Sequence, residues 1–270
     1  MFSYSITATK DNSTRTGVMV GTSPYAKPLT ASTISTVIVP VQVIIDNMHF
    51  DPTAPNSCDS GVSAVSRFEN SPLDAGATNL TFNGVNVGTT QYVNGFRRAE
   101  FWSTIGGSTA YQNTLSPIVV AARETTRTGD NGITHNKGYK LLGIVSQVWL
   151  EDYLTSTLLP KLKKTGVLEP SRFAIILLKN VVQSSASPPT FKGCCILGYH
   201  TATGNPAQIY AVADYDTTGA FEPESDAAPF SHEIAESMDD PLGTNATPAW
   251  GGEGQVPAGS CQDNWKWPTR

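Results

Sequence analysis

Charge, cysteine and long apolar runs are all scarce in this sequence of 270 residues, and each shortage closes off a class of function. Charged residues make up 15% of the chain, and acids outnumber bases 23 to 18 for a formal net charge of −5. No basic cluster is present to neutralise a phosphate backbone or an anionic lipid surface, which argues against both as partners. The one basic run, KLKK at 161–164, reads as a helix C-terminus, where cations suit the dipole. No apolar stretch approaches the roughly 18 to 20 residues of a membrane span. The run TVIVPVQVII at 36–45 is too short and too β-branched for that, and reads as a buried strand. The N-terminus, MFSYSITATKDNSTR, lacks the basic-then-apolar order of a secretory signal. No glycine-rich phosphate loop follows a strand, and no G-x-S-x-G elbow occurs. The four cysteines, Cys58, Cys194, Cys195 and Cys261, show no C-x-x-C spacing, which argues against a zinc ribbon. Sequence neighbours seldom bridge each other, so an oxidised chain is expected to pair Cys58 and Cys261 with the 194/195 doublet. Four buried thiols are the alternative.

What the chain does have is turn residues, with 23 glycines and 18 prolines, and short alternating strands rather than helical bundles. Residues 1–33 read as loop-rich with one strand, and 46–60 as a loop. The stretch 79–88 reads as a hairpin centred on Asn83 and Gly84. An amphipathic helix is expected over 89–102 despite Gly95, and the longest helix over 143–164, closed by Gly166. Strands are expected at 116–122, 172–179, 191–200 and 207–215. The acidic loop after 214 starts as D-x-D-x-x-G, but Ser225 stands where a calcium loop needs glutamate, so it reads as a turn.

The stretch FSHEIAESMDDP, 230–241, carries the clearest chemistry. A helix over 227–239 is expected, with Asp226 as N-cap, Pro229 in its first turn, and Pro241 and Gly243 at its end. His232 and Glu236 are four apart and share a face, while Phe230, Ile234 and Met238 form a second face suited to burial. An imidazole and a carboxylate at that spacing can reach one zinc ion at roughly 2.0 to 2.2 Å. Glu233 sits beside the histidine and is placed to take a proton from a water that a metal activates. This is the H-E-x-x-H arrangement with glutamate for the second histidine. His200 ends an expected strand and is a candidate substitute ligand or substrate contact. Tyr199 is a further candidate contact, and Tyr199 and Tyr210 are candidate oxyanion donors. His49 and His135 read as solvent-facing loop residues.

The motif resembles a group of secreted bacterial proteins carrying S-H-E-I/L-x-E-x-x-x-D-P. More distantly it resembles the plant Exordium or phosphate-induced family, whose members carry H-E-L-A-E followed by N-P. Three further stretches resemble the same group: GTTQYVNGFRRAEFW (88–102), CCILGYH (194–200) and YAVADYD (210–216), and together they span about residues 36–262. The resemblance implies a zincin-like metal site and a protein or peptide substrate. It also implies a third ligand, an aspartate in N-L-E-x-G-D-P or E-I-G-D-x-C after the last cysteine. Here that segment reads SCQDNWKWPTR, so Asp263 is the substitute at hand. One added T before suitable codons for WKWPTR restores Leu-Glu-Val-Ala-Asp-Pro, which implies a frameshifted, truncated tail over about 262–270.

The expectation is therefore an α+β, zincin-like single domain over 1–270. It has a twisted mixed or antiparallel sheet, a long backing helix at 143–164 and a motif helix at 227–239. Zinc is expected on His232 and Glu236, with Asp263 as a substitute ligand and Glu233 as the base. The setting is expected to be secreted or periplasmic. A degenerate site on an extracellular binding or structural protein is the alternative.

Overall fold

The computed structural model describes residues 1–7, 12–76, 78–120, 124–137, 140–221 and 226–245. A hairpin of β1 (Phe2–Thr7) and β2 (Thr14–Met19) precedes the long strand β3 (Ala31–Ile45) and the short β4 (Met48–Phe50). Helix α1 (Ala64–Glu69) is followed by the hairpin β5 (Thr78–Phe82) and β6 (Val85–Thr90), then α2 (Tyr92–Glu100) and α3 (Trp102–Ile105). Strands β7 (Gln112–Val119), β8 (Glu124–Arg127), β9 (Gly132–Lys137) and β10 (Lys140–Ser146) come next. A helical stretch follows as α4 (Gln147–Tyr153), a π-helical segment (Leu154–Leu158) and α5 (Leu159–Lys164). Strands β11 (Phe173–Lys179), β12 (Val181–Ser184), β13 (Cys194–Ile196), β14 (Gly198–Thr203) and β15 (Gln208–Tyr215) lead to the last helix, α6 (Ala228–Asp239).

The central sheet runs β14-β15-β11-β3, with β7, β8 and β4 also paired to β3. Its inner pairs, β15 with β11 and β11 with β3, are parallel, whereas β14 lies antiparallel to β15 at one edge. Parallel strands are covered on both faces, and the sequence shows it as unbroken apolar runs in which neighbouring side chains go opposite ways. Val37, Val39, Val41 and Val43 of β3, Ala174, Ile176 and Leu178 of β11, and Tyr210 and Val212 of β15 pack on one face against Leu150, Leu154, Leu158 and Leu162. Ile34, Ile38, Ile175, Leu177, Ala211 and Ala213 pack on the other against Phe68, Val93, Phe230, Ile234 and Met238. Pro40 has no N–H to donate, and on one flank of β3 it falls between the stretch bonded to β7 and that bonded to β8. A second sheet, β13-β12-β10-β9, completes the mixed α+β architecture.

Several sequence expectations need correcting. No single helix runs over 143–164: residues 143–146 continue β10 and pair in parallel with β12. A short apolar run such as GIVS fits either period, and here the sheet takes it. The helical part starts at Gln147, where Ser146 Oγ accepts from Trp149 N at 3.4 Å, and it widens into the π segment just before Pro160. Proline gives no N–H to residue 156 and crowds its carbonyl, a cause for the looser turn upstream. Residues 1–33 hold a hairpin and the start of β3 rather than one strand, and 46–60 includes β4. The stretch 191–200 is no single strand, because it breaks at Leu197 between β13 in the small sheet and β14 in the central one.

The hairpin at 79–88 is present, with positive φ at Asn83 (47°) and Gly84 (79°). In α2 the buried residues are Val93, Asn94, Gly95, Arg97 and Arg98, so the buried face carries two arginines. Gly95 is where the β5–β6 hairpin meets the helix, since a β-carbon there would lie 2.5 Å from Leu80 Cδ1. Cys194 and Cys195 are bonded to each other across a cis peptide, so the doublet offers no partner to Cys58 or Cys261. Cys261, Asp263 and the tail over 262–270 lie outside the described residues.

Candidate metal centre

Helix α6 owes its place to its apolar face. Phe230, Ile234 and Met238, at positions i, i+4 and i+8, are fully buried, each contributing about 1.5 to 3 kcal/mol of transfer free energy. Phe68 meets Phe230 edge-on with ring centroids 4.9 Å apart. The residue before the helix is Ala227, which gives no side-chain cap; Asp226 instead takes φ 52° and bridges to Asp216. The other end is tied down more heavily. Asp240 Oδ1 accepts from Thr244 N and Asn245 N, and Asn245 Nδ2 donates to Asp239 O and Val18 O. The fully buried Arg97 donates to Asp239 at the last turn of α6 and, at 2.8 Å, to Glu100.

The opposite wall of the site is the edge strand β14. His200 pairs with Ala211 and faces α6, whereas Tyr199 pairs with Val212 and faces the other way. Tyr199 Oη donates to Glu151 Oε2 at 2.5 Å, and Tyr210 Oη donates to the other oxygen of the same carboxylate. The structure therefore does not bring Tyr199 or Tyr210 to His232, Glu233 and Glu236; the pleat sends both hydroxyls to the far face. His49 contacts Gln42 Nε2 at 3.2 Å and His135 stacks on Phe191 at 4.1 Å, both away from α6. Asp216 Oδ1 accepts from Thr218 N and Oγ1, which is turn chemistry for the acidic loop.

His200, Glu233 and Glu236 do come together, each offering a ligand atom within 4.8 Å of the others, a group that could hold a metal ion. Glu236 is the centre of the arrangement. Its Oε1 lies 3.2 Å from His232 Nε2 and its Oε2 lies 3.2 Å from His200 Nδ1. The same His200 nitrogen is 3.3 Å from Glu233 Oε2. His232 reaches the group through Glu236 and is not one of the three mutually close residues. Side-chain exposure falls from 36% at Glu236 through 27% at His232 and 13% at His200 to 8% at Glu233, so one side of the cluster meets solvent.

Burial and charge act in opposite senses here. Burial pulls His200 down, but its bonds to Glu233 and Glu236 outweigh that and raise it to about 9. Burial also works to raise Glu236, yet the two histidines overcome it and hold the carboxyl at about 2. Glu233 is the most enclosed; burial raises it, and the neighbouring Glu236 charge adds to the rise against the pull of the histidines. The donor set of two imidazoles and two carboxylates suits zinc. His200 Nε2, the ring nitrogen that does not face the carboxylates, is buried with no hydrogen-bond partner among the described residues.

Sequence reading undervalued two residues. Gly198 lies against Glu233, and Arg97 anchors α6, but neither carries a local signal because both act through long-range packing. Compared with known protein families, curated proteins and solved structures, the chain matches none.

Proposed function

We propose that this chain is a zinc-dependent hydrolase of peptide bonds, zincin-like in build and working outside the cytoplasm. The observation that carries the reading is the Glu236 carboxylate lying 3.2 Å from a nitrogen of each of two histidines, with Glu233 enclosed beside it on the same helix. His232 and Glu236 hold the metal. Zinc, when bound, polarises a carbonyl and lowers the pKa of water. Glu233 takes the proton from the attacking water and passes it to the leaving amine, a role suited to a carboxylate whose affinity for protons burial has raised. Strand β14 supports a peptide as substrate. Among the described residues it pairs on one side with β15 and ends the sheet order on the other, so its outer backbone groups can take an extended chain by strand addition. The paired Cys194 and Cys195, together with the family resemblance, support an oxidising setting.

The test is metal analysis of the purified chain followed by cleavage of a mixed quenched-fluorescence peptide library. About one zinc per chain and cleavage abolished by chelator and restored by zinc are expected. Absence of metal after zinc loading would refute the reading.

One observation favours a second reading, a binding or structural protein whose site has lost its metal. The carboxylates are already paired with His200 and His232 inside the chain, a self-satisfied network that needs no ion for charge balance. Under that reading the chain takes up no zinc and cleaves nothing in the same library.

A further inference from the structure

We propose that Glu151, on the opposite face of the sheet from α6, is a positioning residue for the metal centre, acting through Tyr199 and the edge strand β14. The inference rests on the metal-dependent function proposed above. It extends that function to a tie that touches neither metal nor substrate.

The first argument is how the strand is held. Among the described residues β14 pairs only with β15, whereas β15 is held from both sides, by β14 and by β11. A single ladder resists rolling of a strand about its long axis less than two ladders do. Three consecutive residues oppose that roll from the two faces. Gly198 and His200 face α6, the first lying against Glu233 and the second bonded to Glu233 and Glu236. Tyr199 faces the other way, and its hydroxyl donates to Glu151 Oε2 at 2.5 Å. The strand is thus pinned to both helical layers at adjacent positions.

The firmness of the far pin is the second. Leu150 and Leu154 are fully buried in the core, which fixes the backbone that carries Glu151. The carboxylate takes one phenol on each oxygen, Tyr199 from the edge strand and Tyr210 from the inner strand. Burial first, and then Glu151 itself, lift both phenols well above their ordinary range, so both keep the proton they donate.

The margin at the site is the third. His200 Nδ1 lies 3.3 Å from Glu233 Oε2 and 3.2 Å from Glu236 Oε2, and such a contact is no longer a hydrogen bond by about 3.6 Å. A shift of about 0.3 to 0.4 Å in the ring therefore breaks both bonds. The same roll of the strand alters the gap that Gly198 leaves for Glu233.

Tyr199 and Tyr210 separate positioning from plain stabilisation. Phenylalanine at either place removes one bond to the same carboxylate, but only Tyr199 stands on the edge strand beside His200. The experiment follows the hydrogen-bonded ring proton of His200 by NMR in the nitrogen-15-labelled, full-length chain after chelator treatment. Its resonance is assigned by its loss in His200→Gln. Tyr199→Phe is expected to move the resonance upfield and speed its exchange with water. Tyr210→Phe is expected to leave it in place although Tm falls as far. In the zinc-loaded chain Tyr199→Phe should lower kcat on the order of 100-fold with KM changing far less, while Tyr210→Phe keeps the parental kcat. Glu151→Asp draws the carboxylate back from both phenols and should move the resonance as Tyr199→Phe does, which keeps the test alive if Tyr199→Phe does not fold. An unmoved resonance in Tyr199→Phe or Glu151→Asp overturns the inference, and so does an equal displacement in Tyr210→Phe or a parental kcat in Tyr199→Phe. No hydrolysis by the parent refutes the functional reading, and a resonance that still moves in Tyr199→Phe supports the tie between Glu151 and His200 without it.

Discussion

Glu233 lies directly across Gly198: a β-carbon at position 198 would stand 2.8 Å from both Cγ and Oε1 of Glu233. Only a hydrogen fits between the edge strand and the proposed base. Gly198→Ala is therefore expected to push the carboxylate away from its place, and also to press on Val212 O, 2.8 Å from the same point. Overpacking of this kind costs roughly 1 to 3 kcal/mol, and a displacement near 1 Å at a catalytic group costs about 100-fold in rate. The expected outcome is a folded protein of lower Tm, with zinc affinity close to the parent and a large fall in kcat. A Gly198→Ala variant with parental kcat would show that Glu233 does not need this gap.

The roles of Glu233 and His232 separate on metal content. Glu233→Gln removes the proton acceptor and keeps the shape, so zinc should stay while hydrolysis falls by about 100- to 10,000-fold. His232→Ala should lose the metal. Inductively coupled plasma analysis of both variants, beside their peptidase rates, decides the matter. Because Glu233 is one of the three mutually close donors, zinc lost from Glu233→Gln as completely as from His232→Ala would make it a ligand instead of a base.

How much of this was legible in the sequence depends on how local the signal was. The motif helix, the Asn83–Gly84 hairpin and the buried strands at 36–45, 172–179 and 207–215 follow from spacing within a few residues, and they stand in the structure. GIVS at 143–146 misled because an apolar tetrapeptide before a helix has no period of its own, and its pairing with β12 is set about 40 residues away. The meeting of His200 with Glu233 and Glu236 could not be read locally either. It depends on β14 turning back antiparallel to β15 and on α6 crossing both, and no spacing within CCILGYH reports that. Alternation within the strand does send neighbours 199 and 200 to opposite faces, so only one of Tyr199 and His200 can face α6.

Asp74 offers a pH test away from the site. Its two carboxyl oxygens are buried without a hydrogen-bond partner among the described residues, and burial, with the Glu69 charge adding, pushes it up to about 7. The folded state therefore holds this proton to higher pH than the unfolded chain, where an aspartate titrates near 3.9. Its contribution is neutral below that value, grows unfavourable as pH rises from about 4 to 7, and is constant above. Asp74→Asn should thus stabilise the protein most above pH 7 and have no effect near pH 4. Solvent screening reduces the gain to roughly 1 kcal/mol. Urea melts of both proteins between pH 4 and 8 check it, and a gain independent of pH would rule out this titration as its source.

Arg97 tests what holds the motif helix in place. Its guanidinium is fully buried, donates to Glu100 and Asp239, and lies 4.9 Å from the centre of the Phe101 ring. Burial already raises the Glu100 carboxyl, with Arg97 acting against that rise. Arg97→Met keeps much of the volume and leaves Glu100, whose side chain is 28% exposed, without its cation. Breaking a buried pair from one side costs about 3 to 5 kcal/mol; both carboxylates are partly exposed, so no more than about 3 kcal/mol is the expected loss. Burial raises the Glu100 carboxyl, so its unpaired charge is the expected larger share of that loss. The double variant Arg97→Met/Glu100→Gln should therefore recover more than half of it in urea denaturation, while the single variant shows stability rising as pH falls and Glu100 takes up a proton. A double variant as unstable as the single one would place the cost in the lost tie to Asp239, and α6 would then be held chiefly by that one bond.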